Sequence, residues 1–333
     1  MKILVTGSSG FIGFHTSLEL LNRGYEVFGI DSENDYYDVN LKTERRKILL
    51  SHHSNNFTFH QVDLADQKSV EVIHSINPKY IIHLAAQAGV RHSLEFPHDY
   101  TRNNIIAFTN ILEFSKSSKF LKHLVFASTS SVYGANTKMP FSEDDSVDHP
   151  LQYYAVTKRT NELMAHSYCN LFNIRATGVR FFTVYGPWGR PDMALFLFTK
   201  NIIEGKPINI FNNGNHQRDF TYVDDIVSGI LIALFDDQFI SDKNYEFPSS
   251  SFCNFRLLNI GRGNPVPLSA FVEAIEKKLN LKAEKNLLPL QPGDVPSSHA
   301  CIKKIKKLGY NPQFDFDKGI ENFIDWYLDF YKK

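Results

Sequence analysis

Three side chains have the types and spacing needed to move a proton and a hydride. Thr129 lies in the segment Phe126-Ala-Ser-Thr-Ser-Ser-Val-Tyr-Gly134, and Tyr154 and Lys158 follow four residues apart. Residues at i and i+4 share one face of a helix, so the phenol and the ammonium can act together. A nearby ammonium favours the phenolate and lowers the pKa of a tyrosine. The pattern predicts a general base that takes the proton of a secondary alcohol while a nicotinamide takes the hydride.

A glycine-rich turn near the N-terminus predicts the site for a dinucleotide. The strand-like run Lys2–Thr6 leads into Gly7, Gly10 and Gly13, which have the spacing G-x-x-G-x-x-G. A turn of this kind brings the N-terminus of the following helix against a pyrophosphate. Gly7 suits a tight turn, Gly10 lets the backbone approach the phosphates, and Gly13 lets the helix pack on the strand.

An acidic residue at the end of the second predicted strand indicates which dinucleotide binds. Asp31 lies 18 residues after Gly13 and can accept hydrogen bonds from both ribose hydroxyls. A carboxylate there also repels a 2′-phosphate. We therefore predict NAD rather than NADP.

The elements that must position these residues alternate regularly in the first half of the chain. Short apolar runs predict strands at Lys2–Thr6, Glu26–Ile30, Phe57–Gln61, Tyr80–Leu84, Leu124–Ala127 and Ala176–Arg180, and helical patterns lie near Ile12–Asn22, Gln67–Ile76, Asp99–Lys116 and Tyr153–Phe172. Continuous apolar strands separated by helices are typical of a parallel sheet covered on both faces. This predicts an α/β doubly wound parallel sheet, the Rossmann fold, with ligands at the carboxyl ends of the strands.

Composition and charge exclude several other classes of protein. Among 333 residues, Lys and Arg number 36 and Asp and Glu number 36, so no field for nucleic acid is expected. No apolar run approaches the ~20 residues of a membrane span. Three cysteines far apart show no metal-ligand spacing, so we predict no metal. Because a strand-like run begins at Lys2, we expect no signal peptide and a cytoplasmic enzyme.

Taken together, these motifs resemble an extended short-chain dehydrogenase/reductase of the nucleotide-sugar epimerase and dehydratase group. The resemblance runs from Met1 to about Tyr310. It is densest in three segments, Ala85–Arg91 (AAQAGVR), Arg180–Phe196 (RFFTVYGPWGRPDMALF) and Gln217–Asp225 (QRDFTYVDD). A lone glycine pattern is weak evidence, but these blocks in this order are specific.

The resemblance implies a domain organisation. Residues 1–186 would form the NAD-binding Rossmann domain, with returns near 222–235 and 257–260, and residues 187–333 would mainly form a smaller C-terminal substrate-binding domain. The returns correspond to a helix at Tyr222–Phe235 and a strand at Leu257–Ile260, separated by a predicted surface loop at Asp236–Ser251. After Gly186, frequent proline and glycine divide the chain into shorter elements.

The resemblance also implies roles for individual residues. Thr129, Tyr154 and Lys158 would be catalytic, with Tyr154 as the acid/base and Lys158 also holding the nicotinamide ribose. The residues expected to contact NAD are Gly7, Gly10, Phe11, Ile12, Gly13, Asp31, Asp63, Leu64, Leu84, Ala85, Ala86, Tyr154, Lys158 and Phe181. The residues expected to contact the UDP-sugar are Arg91, Ser130, Ser131, Thr183, Arg190, Arg218 and Asp294.

The two residues after Thr129 indicate which reaction follows oxidation at C4. Related 4,6-dehydratases carry an acidic residue there for elimination, and related decarboxylases carry a glutamate in the second position. This chain has Ser130 and Ser131, which cannot titrate. We therefore expect C4 epimerisation through a 4-keto intermediate, with UDP-glucuronate and UDP-galacturonate as the favoured pair. Hydroxyls of these serines and of Thr183 would hold the carboxylate so that carbon dioxide is not lost.

Three alternatives stay open at this point. The chain could epimerise a neutral sugar, UDP-glucose or UDP-N-acetylglucosamine, or decarboxylate UDP-glucuronate to a UDP-pentose. A non-enzymatic dinucleotide sensor on the same fold is also possible, although the complete Thr129, Tyr154 and Lys158 set argues against it. Relatives dimerise through two helices, here Asp99–Lys116 and Tyr153–Phe172, so we expect a homodimer.

Overall fold

A computed structural model describes residues 1–52, 55–236 and 252–331 of the chain. The strands are β1 Lys2–Thr6, β2 Glu26–Asp31, β3 Phe57–Gln61, β4 Tyr80–His83, β5 His123–Thr129, β6 Ala176–Phe181, β7 Thr183–Tyr185, β8 Ile208–Ile210, β9 Gln217–Arg218, β10 Phe220–Tyr222, β11 Phe255–Ile260, β12 Val266–Pro267 and β13 Lys285–Leu287. The α-helices are α1 Phe11–Asn22, α2 Val39–His52, α3 Lys68–Ile76, α4 His92–Glu95, α5 Pro97–Tyr100, α6 Ala107–Ser117, α7 Tyr153–Phe172, α8 Ala194–Ile203, α9 Val223–Phe235, α10 Leu268–Leu279, α11 Lys303–Lys306 and α12 Phe316–Tyr331. A π-helix spans Thr101–Ile106, and 3₁₀ turns span Ser130–Tyr133 and Phe211–Gly214.

Seven strands form one parallel sheet in the order β11-β6-β5-β4-β1-β2-β3. The chain order reverses between β1 and β4, the place where doubly wound sheets bind ligands. The register sets the site, because Thr6 pairs with His83 and Thr129 pairs with Phe181. The ends of these strands therefore lie along one edge of the sheet.

The central strands are apolar because both of their faces are covered. All seven residues of β5 are buried, and so are all six of β6. Separate buried clusters lie on the two faces, one including Phe14 and Ile226 and the other including Phe108 and Phe126. The predicted doubly wound α/β fold is confirmed.

Most predicted elements lie within two residues of their observed bounds. Strands Lys2–Thr6 and Phe57–Gln61 and helix Tyr153–Phe172 have the bounds that we predicted. β5 extends to Thr129, which puts the threonine at the end of a strand instead of in a loop. β5 therefore delivers Thr129 directly to the ligand-binding edge.

One predicted helix, Asp99–Lys116, is interrupted. The structure has α5, then the π-helix Thr101–Ile106, then α6. The buried amide of Asn104 accounts for the widened turn, since Nδ2 donates to Gln87 O and Thr157 Oγ1, both at 3.0 Å. Gln87 N donates to Asn104 Oδ1 at 2.8 Å. A π-helix accommodates one extra residue per turn, and these bonds fasten it to α7 and to the loop after β4.

Helix α2 was not predicted from the sequence. Its buried positions are Leu41, Lys42, Arg45 and Leu49, so half of the buried face is cationic. A search for apolar residues at helical spacing does not detect such a face.

The C-terminal part of the chain both adds to the main sheet and forms small sheets of its own. β11 pairs with β6, and α9 packs on α1, which agrees with the predicted strand and helix near those positions. Three two-stranded sheets pair β10 with β7, β12 with β9 and β13 with β8. A third buried cluster joins these sheets to α8, α10 and α12. The predicted loop Asp236–Ser251 lies outside the described residues apart from Asp236.

None of the helices in the described ranges is both long enough and apolar enough to cross a membrane.

Candidate active site

A cavity of about 750 Å³ opens at the carboxyl ends of the parallel strands. Its walls include every residue that we expected at the site, namely Gly7, Gly10, Phe11, Ile12, Gly13, Asp31, Asp63, Leu64, Leu84, Ala85, Ala86, Arg91, Thr129, Ser130, Ser131, Tyr154, Lys158, Phe181, Thr183, Arg190, Arg218 and Asp294. The structure therefore brings together residues from almost 290 positions of the chain. Whether each makes its expected contact stays a prediction.

The glycine turn has no room for side chains. Gly7 has φ +73°, a left-handed backbone that favours glycine, and a Cβ there would lie 2.8 Å from Ala85 N. A Cβ at Gly13 would lie 1.9 Å from Gly7 O, and one at Gly10 would lie 2.9 Å from the same oxygen. The turn leads directly into α1, whose first N–H groups have no side-chain cap. This cradle fits a pyrophosphate.

Asp31 ends β2 at the expected edge of the cavity. Its carboxylate accepts hydrogen bonds from Ser9 N at 3.1 Å and Glu33 N at 2.8 Å. Burial raises the pKa of Asp31, and these two N–H groups and the Lys42 ammonium oppose that rise. Both oxygens are oriented by the backbone, which suits them to accept ribose hydroxyls. The glycine cradle and this carboxylate together fit a dinucleotide.

Thr129 and Tyr154 come together at the end of β5 and the start of α7. Both side chains line the cavity, and the Thr129 hydroxyl lies within hydrogen-bonding reach of Tyr154. Thr129 Oγ1 also accepts from Ser131 N at 3.2 Å, which starts the 3₁₀ turn that carries Ser130 and Ser131. The two serines thus line the cavity next to the threonine.

The expectation that Lys158 lowers the pKa of Tyr154 does not describe this structure. Burial raises the pKa of Tyr154, and the Arg190 guanidinium and the hydrogen bond from Thr129 oppose the rise. The Arg190 guanidinium, which comes from the loop after β7 and which we expected only to bind substrate, is thus a cation that favours the phenolate of Tyr154. Burial lowers the pKa of Lys158 to about 8, against the attraction of Glu162.

A buried ion pair lies one turn beyond Lys158. Glu162 and Arg180 each have side chains only 1% exposed, and Arg180 Nε and Nη2 donate to the carboxylate at 2.8 and 2.9 Å. Ser128 Oγ donates to the same carboxylate at 2.6 Å. Because Ser128 precedes Thr129 and Arg180 precedes Phe181, the pair joins α7 to β5 and β6 directly behind the candidate catalytic residues.

A second buried cation joins the glycine turn to the loop after β7. Arg45 is fully buried in α2, and its Nη1 donates to Ser9 O at 2.8 Å and to Tyr37 Oη at 2.9 Å. Its Nη2 donates to Trp188 O at 2.5 Å. Trp188 has φ +62° and lies two residues before Arg190, whose charge favours the phenolate of Tyr154. The sequence alone gave no sign of this link.

The substrate side of the cavity holds the other predicted arginines. Arg218 Nη2 donates to Asp294 Oδ1 at 2.9 Å, so these two predicted residues contact each other. Arg91 is exposed and places its guanidinium 5.6 Å from the centroid of the Phe211 ring. Arg190 pairs with Asp192, a residue that we did not single out.

Other residues of the cavity wall also escaped the sequence analysis. They are, among others, Asn34, Tyr36, Lys42, Asn103, Gln152 and Asp192. Lys42 Nζ donates to Asn34 O at 2.5 Å close to Asp31. The run Asn34-Asp-Tyr-Tyr-Asp38 begins three residues after Asp31. Its position just after the end of β2 was the feature of the sequence that could have indicated these cavity residues.

The fold and the site define a class. A doubly wound sheet that presents a glycine cradle, a carboxylate at the end of β2 and a threonine–tyrosine–lysine set in one cavity has the arrangement expected of the extended short-chain dehydrogenases/reductases that the sequence resembles.

Comparisons with known proteins lead to the family. Residues 3–245 match the NAD dependent epimerase/dehydratase family. The chain is 49% identical to Protein CapI of Staphylococcus aureus, with all of both chains covered. It is 44% identical to a probable UDP-glucuronate 4-epimerase of Rhizobium meliloti, covering 100% of this chain and 98% of the relative.

A solved structure agrees over nearly the whole chain. UDP-glucuronic acid 4-epimerase from Bacillus cereus, in complex with UDP-glucuronic acid and NAD, is 34% identical and superposes with a TM-score of 0.88. The match covers 99% of this chain and 100% of that one. The protein described here belongs to the NAD dependent epimerase/dehydratase family.

Proposed function

We propose that the protein is an NAD-dependent UDP-glucuronate 4-epimerase, which interconverts UDP-glucuronate and UDP-galacturonate through a 4-keto intermediate. The observation that carries this proposal is the cavity wall after β5. Thr129 and Tyr154 meet there, and the next two residues are Ser130 and Ser131. No carboxyl group occupies these two positions, so oxidation at C4 is not followed by acid–base elimination at C6. The similarity to enzymes named for this reaction supports the same conclusion.

The side chains act on the proton at O4. Tyr154, as the phenolate, takes the proton of the C4 hydroxyl through Thr129, whose oxygen accepts from O4–H while its own O–H donates to the phenolate. NAD, held by the glycine turn and Asp31, would supply the acceptor for the hydride at C4 and the source of its return. After the 4-keto sugar has turned its other face towards the cofactor site, Tyr154 gives the proton back to O4. Proton and hydride are both restored, so no net oxidation occurs.

Charge around Tyr154 offsets part of the effect that burial has on this proton transfer. Burial alone would keep the phenol protonated, because its pKa is raised. Arg190 and Thr129 oppose that effect and favour the phenolate. A positioned acid/base of this kind contributes about 10²–10⁴-fold in rate.

Hydroxyls around C6 protect the intermediate. A 4-keto-6-carboxylate loses carbon dioxide when the bond to the carboxylate lies perpendicular to the carbonyl plane. Ser130, Ser131 and Thr183 line the wall beside Thr129 and supply donors that hold the carboxylate away from that orientation. Arg190 and Arg91 are further candidates for contacts to the carboxylate, and Arg218 and Asp294 are the candidates for the diphosphate and the ribose.

Product analysis tests the function. Purified protein with no added cofactor is incubated with UDP-glucuronate and, separately, with UDP-glucose, and the sugars are resolved by chromatography. We expect UDP-galacturonate and no accumulation of NADH, with Tyr154→Phe inactive. A UDP-pentose as the main product would instead indicate a decarboxylase, and turnover of UDP-glucose alone would indicate a neutral-sugar epimerase.

We further propose a homodimer formed by the π-helix, α6 and α7. Apolar side chains are exposed on these elements, with Ile106 46% exposed and Leu163 55% exposed. Leu163→Glu should convert a dimer to a monomer in light-scattering measurements, and a wild-type monomer would contradict the proposal. We also propose the division that the resemblance implies, an NAD-binding part at 1–186 and a mainly substrate-binding part at 187–333. The cytoplasmic location stays a prediction.

A further inference from the structure

Arg190 reaches the cavity already engaged by a carboxylate of the protein. Its Nε donates to Asp192 Oδ1 at 3.0 Å, and its Nη2 donates to Asp192 Oδ2 at 2.5 Å. Nη2 also donates to Ala88 O at 3.4 Å. One edge of the guanidinium is therefore occupied by a two-point contact with Asp192, a geometry that orients as well as binds.

Asp192 is in turn held from the cofactor side of the cavity. Tyr36 follows β2, and its hydroxyl donates to Asp192 Oδ2 at 3.3 Å. The Tyr36 ring lies 5.9 Å from the Arg190 guanidinium. All three side chains line the same cavity as Tyr154. Asp192 thus has one partner on each side of the cavity.

This arrangement leaves Nη1 as the part of Arg190 with which to meet a ligand. The contacts to Asp192 and Ala88 use Nε and Nη2, the Tyr36 hydroxyl is also within hydrogen-bonding reach of the guanidinium, and within the described ranges Nη1 donates to no carboxylate or carbonyl oxygen. The arrangement also sets the charge next to the base. Arg190 and Asp192 together are neutral, whereas Arg190 alone would present a full positive charge to Tyr154.

We propose that Asp192 and Tyr36 are positioning residues for Arg190, and that the charge of Asp192 sets how strongly the site prefers a sugar with a carboxylate over a neutral sugar. The inference rests on the proposed function, because it concerns the C6 group of the same substrate. Asp192 acts as an internal carboxylate that shares Arg190 with the substrate. The site consequently binds the anionic sugar less tightly than an unshared arginine would.

Asp192→Asn tests the charge with little change in shape. Binding is measured calorimetrically on the NAD-loaded protein in a Tyr154→Phe background, so that no turnover occurs. The ligands are UDP-glucuronate and UDP-glucose. We expect Asp192→Asn to raise the ratio of the two affinities in favour of UDP-glucuronate by roughly 3- to 10-fold. The matched control is Asp325→Asn, which removes a carboxylate paired with Lys278 at 2.7 Å on an exposed face.

A pH profile provides a readout that a purely structural change would not move. The groups around Tyr154 are Thr129 from β5 and Tyr100, whose ring centroid lies 6.0 Å away, together with the charge of Arg190, whose partner is Asp192; Lys158 lies one turn further along α7 and lines the same cavity. Loss of the Asp192 charge leaves Arg190 unopposed, which favours the phenolate. In Asp192→Asn with Tyr154 retained, the acid limb of the kcat profile should therefore move to lower pH.

Tyr36→Phe tests the other contact and does not depend on the folding of an Asp192 variant. It removes one hydroxyl and no charge. We expect it to weaken UDP-glucuronate binding by roughly 2- to 5-fold, and to have no further effect when combined with Asp192→Ala. Additive effects of the two changes would overturn the positioning role of Tyr36.

Two results would overturn the role of Asp192. One is an affinity ratio and a pH profile in Asp192→Asn that match Asp325→Asn. The other is a loss of preference for UDP-glucuronate. Failure of the proposed function can be told apart from failure of this inference. Product analysis of the wild-type protein tests the function, whereas the binding measurements test the charge effect and need no turnover.

Discussion

Glu162→Gln should be the most costly single change near the site that leaves every candidate catalytic residue in place. The carboxylate is buried, accepts two hydrogen bonds from Arg180, one from Ser128 and one from Arg159 Nη1 at 3.1 Å, and neutralises an Arg180 guanidinium that is 1% exposed. Glutamine preserves the shape but leaves the Arg180 charge without a counterion. Removing one partner of a buried pair costs about 3–5 kcal/mol. This is a large part of the about 5–15 kcal/mol that stabilises a typical domain.

Urea unfolding of the NAD-loaded protein measures the loss. The control is Glu276→Gln, because Glu276 has a 4% exposed side chain but pairs with Lys282, whose side chain is 88% exposed and hydrates freely when left alone. We expect about 1 kcal/mol or less for this control. The double variant Glu162→Gln with Arg180→Met removes both charges, so its loss should be smaller than the sum of the single losses by about 2 kcal/mol.

The same variant should change the pH dependence of catalysis. The pKa of Lys158 is lowered to about 8 by burial, and Glu162 is the group that raises it. Without Glu162 the ammonium is lost at lower pH, so the alkaline limb of the kcat/KM profile should move to lower pH. A destabilisation equal to that of Glu276→Gln would refute the energetic reasoning. An unmoved alkaline limb would show that Glu162 does not support the charge of Lys158.

Further predictions concern the residues that touch cofactor and substrate. Tyr154→Phe should abolish turnover and retain NAD, as measured by the cofactor released on denaturation; near-normal activity would contradict the proton transfer. Asp31→Ala should weaken NAD binding and narrow the preference over NADP, and an unchanged ratio of the two Kd values would assign that preference elsewhere. Ser130→Ala and Ser131→Ala should each release some UDP-pentose or 4-keto-pentose beside UDP-galacturonate, because a hydrogen bond to a charged group contributes about 1.5–3 kcal/mol. Clean epimerisation in both serine variants would instead assign protection of the carboxylate to Thr183 or an arginine.

The parallel sheet could be predicted because its signal is local. Strands such as β1 and β5 are short apolar runs, and helices lie between consecutive strands of the sheet. The glycine turn, Asp31, Thr129 and Tyr154 could be predicted for the same reason, since each follows directly from the end of a strand or lies at helical spacing from its partner. In such cases the sequence neighbours are also the structural neighbours.

What escaped prediction depends on contacts between distant segments. α2 buries Arg45 because Ser9 and Trp188 supply carbonyl oxygens, and Trp188 lies 143 residues further along the chain. The π-helix exists because Asn104 finds partners in Gln87 and Thr157. The apolar periodicity of a sequence does not indicate such distant partners. The same holds for Arg190, whose effect on Tyr154 is a consequence of folding that the motif does not contain.

The Arg45 bridge has a consequence for how the two ligands affect each other's binding. One rigid guanidinium holds the carbonyl of Ser9, in the turn expected under the pyrophosphate, and the carbonyl of Trp188, in the loop that carries Arg190. Any ordering of one loop by its ligand is therefore transmitted to the other. Thermodynamic reciprocity then requires that the factor by which NAD tightens the nucleotide sugar equals the factor by which the sugar tightens NAD. A factor above one holds the cofactor more firmly whenever a nucleotide sugar occupies the site, and this includes the 4-keto stage, at which escape of the cofactor would leave the sugar in its oxidised form.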